Sequence, residues 1–159
     1  MIKSGIPDDR DVISDDLYRE IILDHYRSPR HRGRLDDATF RAEGKNPLCG
    51  DEISLDLRVS NQRGVIDGVG ISGKGCAISQ ASGSMMAEAL TGRTLEESAG
   101  YARAFKRVML EGAEADLLPP ELEDLKSLEN VKQYPVRIKC AILAWNTLLE
   151  AIKENTSHA

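Results

Sequence analysis

The chain has 159 residues and a formal charge of −5, with 41% hydrophobic, 30% charged and 4% aromatic residues. That describes one globular domain, expected over 1–159 with tails at 1–13 and 154–159, and it holds enough apolar material for a core. The acidic balance does not suit a general nucleic-acid binder, which neutralises phosphates with surplus Lys and Arg. The longest apolar runs, Ile21–Leu23 and Ala141–Trp145, fall far short of the ~20 residues of a membrane-spanning helix. Residues 1–11 lack the apolar stretch of a secretion signal, so the expectation is a cytoplasmic protein without membrane contact.

Ser14, Asp15 and Asp16 predict a helix start, since a hydroxyl cap and first-turn acids complement exposed amides. Leu17, Tyr18, Ile21, Ile22 and Tyr26 then recur at helical spacing, and Ser28-Pro29 ends the run. Residues 38–45 alternate weakly and predict a strand. From Asp51 the alternation is strict: Ile53, Leu55, Leu57 and Val59 share one face of a half-buried strand. Asn61–Gly64 supply a turn into a second strand at 65–72, which makes an antiparallel hairpin.

Helix resumes at Ile78, Ala81, Met85, Met86, Ala89 and Leu90, ended by Gly92, and an amphipathic helix follows from Thr94 to about Gly112. Leu118-Pro119-Pro120 breaks it. An acidic helix is expected from Glu121 to about Val131, then a final helix after Pro135 with the stripe Ile138, Ala141, Ile142, Trp145, Leu149 and Ile152. Strands clustered early with helices around them predict an α+β fold: a small antiparallel sheet of two to three strands packed on four to five helices.

Cys49, Cys76 and Cys140 are an odd number of thiols at intervals of 27 and 64 residues, which rules against a disulfide framework. Cys49 stands among turn formers in Gly44-Lys45-Asn46-Pro47-Leu48-Cys49-Gly50-Asp51. If extended backbone persists through Gly50, Cys49 and Asp51 share parity with Ile53 and point to the covered side of the sheet. Cys76, in Gly73-Lys74-Gly75-Cys76-Ala77-Ile78-Ser79, sits where strand gives way to a helix N-terminus, whose potential favours thiolate. Cys140 opens the last helix beside Arg137 and Lys139, two cations expected to push the same way. Three thiolates and a carboxylate form a tetrahedral set for zinc, and equally for a thiolate-held iron–sulfur cluster with one oxygen ligand.

The segments Asn46-Pro-x-Cys-Gly-Asp51, Gly73-x-Gly-Cys-Ala-Ile-Ser79 and Pro135-Val-Arg-Ile-Lys-Cys140 resemble the three cysteine motifs of IscU/NifU-type scaffold proteins of iron–sulfur cluster assembly. The resemblance spans about 17–152 and is closest to the SufU branch, since Lys139 stands where the IscU branch has His. It implies that Cys49, Asp51, Cys76 and Cys140 ligate zinc, with Gly50, Gly75, Arg137 and Lys139 in support. It also implies that Cys49 accepts persulfide sulfur from a SufS-type cysteine desulfurase once a partner side chain displaces it from the metal. Downstream cluster assembly proteins would be the further partners. If such a protein is an enzyme at all, it is a zinc-dependent sulfurtransferase. The alternatives are a scaffold holding a [2Fe–2S] or [4Fe–4S] cluster on the same four residues, and a module whose zinc is structural. The IscU branch recruits a chaperone through Leu-Pro-Pro-Val-Lys; Gln133-Tyr134-Pro135-Val136-Arg137 departs from it.

Other patterns compete for chemistry. Residues 68–75 nearly fit a phosphate-binding loop but end in Gly75, which has no hydroxyl for Mg²⁺. A hydrolase needs a base, and His25, His31 and His158 show no orienting partner in the sequence. Arg27, Arg30, His31, Arg32 and Arg34 form a basic cluster, read as a solvated face or as a docking surface for the desulfurase. Ala81-Ser82-Gly83-Ser84 reads as a small-residue face for close helix packing.

Overall fold

The structure is a computed structural model that describes residues 9–157. Helix α1 spans Asp9–Arg27, so Ser14 falls within the helical backbone rather than at its start. Of the tails expected at 1–13 and 154–159, residues 9–13 belong to α1 and 154–157 to the last helix, and the remainder lies outside the described residues. Strands β1 (Phe40–Asn46), β2 (Asp51–Val59) and β3 (Ile66–Lys74) follow, then α2 (Ala77–Leu90), α3 (Leu95–Leu110) and α4 (Pro135–Ser157). The sheet is antiparallel in the order β1-β2-β3. Among the described residues, no helix is long and apolar enough to cross a membrane.

β2 is the middle strand, and its alternation carries the core: Ile53, Leu55 and Leu57 are buried, with β2 packed on α4 and β3 on α2. The polar face is covered as well. Asp56, expected to face water, is fully buried beneath the chain that leads into β1, where the Arg34 guanidinium and the Leu35 amide each donate to its Oδ2 at 2.9 Å. That same connection meets the outer edge of β3 at Ile71, with Gly33 N–H donating to the Ile71 carbonyl and Ile71 N–H to the His31 carbonyl. The near phosphate loop of residues 68–75 is thus mostly strand, its backbone committed to the ladder.

α3 begins with a reciprocal capping box, in which the Glu97 amide donates to the Thr94 hydroxyl and the Thr94 amide to the Glu97 carboxylate. Beyond it, the segment expected as an α-helix is a 3-10 helix over Pro120–Gln133. The cause is visible in the spacing. Leu122, Leu125, Leu128 and Val131 recur every third residue and are all buried, and three residues per turn is the 3-10 period.

In α4, Ala141, Ile142 and Trp145 are buried as expected, together with Ala144, Leu148 and Ala151; Ile138, Leu149 and Ile152, expected inside, are only partly buried. Trp145 is fully enclosed, its ring 5.7 Å from that of Phe105. Its indole N–H donates to the Ser82 hydroxyl, which donates to the Ala141 carbonyl. The small-residue face of α2 therefore does more than permit close packing: it ties α2 to α4.

Candidate metal centre

Four structural elements meet at one end of the sheet. The β1–β2 turn carries Cys49, the first residue of β2 is Asp51, the start of α2 carries Cys76, and the second turn of α4 carries Cys140. The ligating atoms of Cys49, Asp51 and Cys140 all lie within 4.8 Å of one another, and the two sulfurs are 3.3 Å apart. Cys76 caps α2 without a side-chain cap bond. Its amide donates to Asp51 Oδ1 at 3.0 Å, while its sulfur lies beside the Ser79 hydroxyl at 3.9 Å, outside that cluster of three.

Cys49 does not reach the site as an extension of β2. Gly50 has φ +70°, a left-handed turn conformation, so the alternation stops at Asp51 and a turn brings Cys49 back over the site. Glycine tolerates that φ where a side chain is strained. Gly75 serves differently: a Cβ there would overlap the Asp51 carboxylate and the Ser79 hydroxyl. The absence of a side chain is what lets the α2 entrance lie against Asp51.

The electrostatics of the site are those of a place short of positive charge. Asp51 is 1% exposed, and its Oδ2 is buried with no hydrogen-bond partner. An orphaned buried carboxylate oxygen is costly unless a cation meets it. Burial pushes the Cys140 thiol far above its ordinary range, and the adjoining Asp51, Cys49 and Cys76 push it further. This reverses the expectation that Arg137 and Lys139 would favour the Cys140 thiolate. Arg137 does face the sulfurs, its own pKa raised by Cys76 first and then Cys140, but burial outweighs it. Lys139 instead walls a groove with Lys45, Asn46, Pro47 and Leu48.

A divalent cation would cancel both penalties. It would neutralise the orphaned oxygen and replace the protons on closely spaced sulfurs, as thiolate ligation requires. The donor set of sulfur and carboxylate oxygen fits zinc or iron.

Comparison with known proteins agrees with this reading. Residues 17–158 match the model of the NifU-like N terminal domain. The chain belongs to that family. An iron–sulfur cluster assembly scaffold protein IscU from Thermotoga maritima is 44% identical over 87% of this chain and 94% of its own length. The zinc-dependent sulfurtransferase SufU of Bacillus subtilis is 37% identical over 87% and 90%. Among solved structures, the N-terminal part of a NifU-like protein from Brucella abortus superposes with a TM-score of 0.82 at 27% identity, covering 91% of this chain and 98% of that one. The α+β fold expected from the sequence, a small antiparallel sheet of two to three strands on helices, is that of this family, with three strands present.

A second cluster was not legible in the sequence. His25, read as having no orienting partner, is 1% exposed and has two: its Nδ1 and the Ser84 hydroxyl are 2.8 Å apart, and its Nε2 lies 2.8 Å from Asp124 Oδ2. Ser84 Oγ also accepts the Arg30 amide at 2.9 Å. Ser84 is itself buried within α2, where no substrate reaches it, so this trio is a strut joining α1, α2 and the 3-10 helix rather than a nucleophile with its base. Arg30, part of the basic cluster, pairs with Asp24 and Glu88, and Arg34 pairs with Asp56, which internally neutralises part of the proposed docking charge.

Proposed function

We propose that this chain is a zinc-containing sulfur acceptor that serves a cysteine desulfurase in iron–sulfur cluster assembly, with Cys49, Asp51, Cys76 and Cys140 as the ligands. The observation that carries it is the pair of sulfurs 3.3 Å apart beside a buried carboxylate oxygen without a partner. Zinc, when bound, supplies a redox-inert Lewis acid that keeps the sulfurs deprotonated at neutral pH. Asp51 is the weakest donor of the set and gives the site its lability. Cys76 brings the fourth donor, its backbone anchored to Asp51.

Cys49 is the acceptor. Its turn is exposed, next to Leu48 at 65% exposure, and free of the Asp51 anchor that holds the Cys76 backbone; Cys49 and Cys76 are both partly exposed, whereas Cys140 is fully buried in α4. The Cys49 thiolate attacks the outer sulfur of the donor persulfide. A new S–S bond forms at Cys49, the bond to the donor cysteine breaks, and that cysteine leaves as thiolate, with no net oxidation. Arg137 holds positive charge beside the sulfurs as the anionic groups pass.

The test incubates the zinc-loaded protein with a desulfurase and cysteine and reads sulfur addition by peptide mass. The wild-type chain should gain one sulfur at Cys49, and Cys49→Ala should gain none and lose stimulation of desulfurase turnover. Full stimulation by Cys49→Ala would sink the acceptor role. The same donors could hold an iron–sulfur cluster as cargo, a reading favoured by the scaffold named in Thermotoga maritima. Iron and acid-labile sulfide in the protein as isolated, in place of zinc, would decide for it.

A further inference from the structure

The two close sulfurs, Cys49 and Cys140, are chemically alike yet must do different things if one accepts sulfur while the other keeps its place. Asn46 touches both of their settings. It is the last residue of β1, paired across the ladder with Asp51, and is 6% exposed. Its side-chain amide N–H donates to Cys140 Sγ at 3.8 Å, a long contact suited to the size of sulfur. Its Oδ1 accepts the Leu48 amide at 3.3 Å, and its backbone carbonyl accepts the Cys49 amide at 3.2 Å. Asn46-Pro47-Leu48-Cys49 is therefore a β-turn with Pro at its second position, reinforced by an Asx turn from the same residue.

We propose that Asn46 is the positioning residue that makes these sulfurs unequal, a proposal that rests on the metal-centre reading above. Its carbonyl groups hold the turn that presents Cys49, while its amide N–H binds the Cys140 sulfur and draws electron density from it. A metal-bound thiolate that accepts such a bond is a poorer nucleophile and a better-anchored ligand, so Cys140 is kept as the fixed sulfur and Cys49 as the reactive one. Few residue types meet this demand. Asp keeps the acceptor for Leu48 but has no N–H for sulfur, Leu matches the volume with neither, and Ser is too short to reach across to α4.

The test compares wild type with Asn46→Leu and Asn46→Asp, and uses Asn146→Leu as control, since Asn146 lines the same groove. Zinc-loaded protein, in which the metal keeps the sulfurs deprotonated, is pulsed with iodoacetamide, and alkylation at Cys49 and Cys140 is read by peptide mass. The Cys140 share should rise about tenfold relative to Cys49 in both Asn46 variants, the factor expected for a lost hydrogen bond to a charged group, and stay put in the control. If burial alone protects Cys140, the ratio does not move in Asn46→Leu and the proposal is overturned. A second readout uses cobalt-loaded protein: without the N–H, the sulfur-to-cobalt charge-transfer band should move to longer wavelength, and an unshifted band overturns the proposal equally. Should Asn46→Leu fail to fold, the isosteric Asn46→Asp decides. Wild-type protein that takes up neither zinc nor cobalt would overturn the metal-centre reading and the proposal with it, whereas metal uptake with an unmoved ratio and band overturns the proposal alone.

Discussion

Among the described residues, two clusters of metal-ligating side chains have donor atoms within 4.8 Å of one another, Cys49/Asp51/Cys140 and His25/Glu88/Asp124, and they differ in one respect. Around His25 the polar groups are matched: both ring nitrogens have partners, Ser84 also accepts from Arg30, and Glu88 faces the Arg30 guanidinium. Around Asp51 they are not, since Oδ2 has no partner and Cys140 is driven toward its protonated form. Asp56 Oδ1 also lacks a hydrogen bond, but the Arg41 guanidinium stands 3.5 Å away and supplies its charge. Proximity of ligand atoms does not by itself mark a metal site. An unmatched ligand oxygen beside clustered sulfurs does more to mark one, because a bound cation satisfies them together without rearranging the fold.

Chelation should produce the largest break between the two. A ligand present at ~1,000 times its Kd adds about 4 kcal/mol, and in a domain of this size each kcal/mol moves Tm by roughly 2–4 °C. Removing zinc from the loaded protein should therefore lower Tm by about 10 °C in a thermal melt; an unmoved melt would mean that no metal stabilises the Cys49 end. Next comes His25→Ala, which leaves a cavity and strands Ser84 and Asp124, at a cost of about 3 kcal/mol. Zinc content per folded molecule should not change, and a parallel loss of zinc would show that the two clusters are coupled. The smallest effect on stability, with the sharpest sign, is expected from Asp51→Asn. It removes an unmatched buried charge yet keeps the acceptor for the Cys76 amide, so the metal-free protein should gain about 1 kcal/mol by denaturant titration. Zinc affinity, measured by competition with a chromogenic chelator, should fall about tenfold or more for the lost ionic ligand. If both quantities move in the same direction, Asp51 is not serving as a ligand.

Much of this architecture is legible in the residues. The alternation at Ile53, Leu55 and Leu57 locates the strand, and its parity places Asp51 inside with them, as the structure has it. Glycines and prolines mark the turns. The reading fails where one segment's environment is set by a distant one. Asp56 looks like a solvent-facing carboxylate until residues 34–35 fold over it. His25 looks partnerless until α2 and the 3-10 helix deliver Ser84 and Asp124. The leucines at 122, 125 and 128 carry the 3-10 period in the residues themselves, though a short acidic segment with that spacing also suits an α-helix. Asn46 belongs to the Asn-Pro-x-Cys-Gly-Asp motif, yet nothing local says that its amide faces a sulfur on α4.

By itself the chain determines its elements and its chemistry: periodicity selects strand or helix from the side of each residue that must leave water, and three thiols with an acid define what those elements can bind. Only the tertiary structure decides that Cys140 is the buried sulfur and Cys49 the accessible one, that Asp51 keeps an oxygen unmatched, and that His25 does not. Those properties belong to the space between segments far apart in sequence, where burial strips away solvent and leaves each charge to whatever partner the fold supplies.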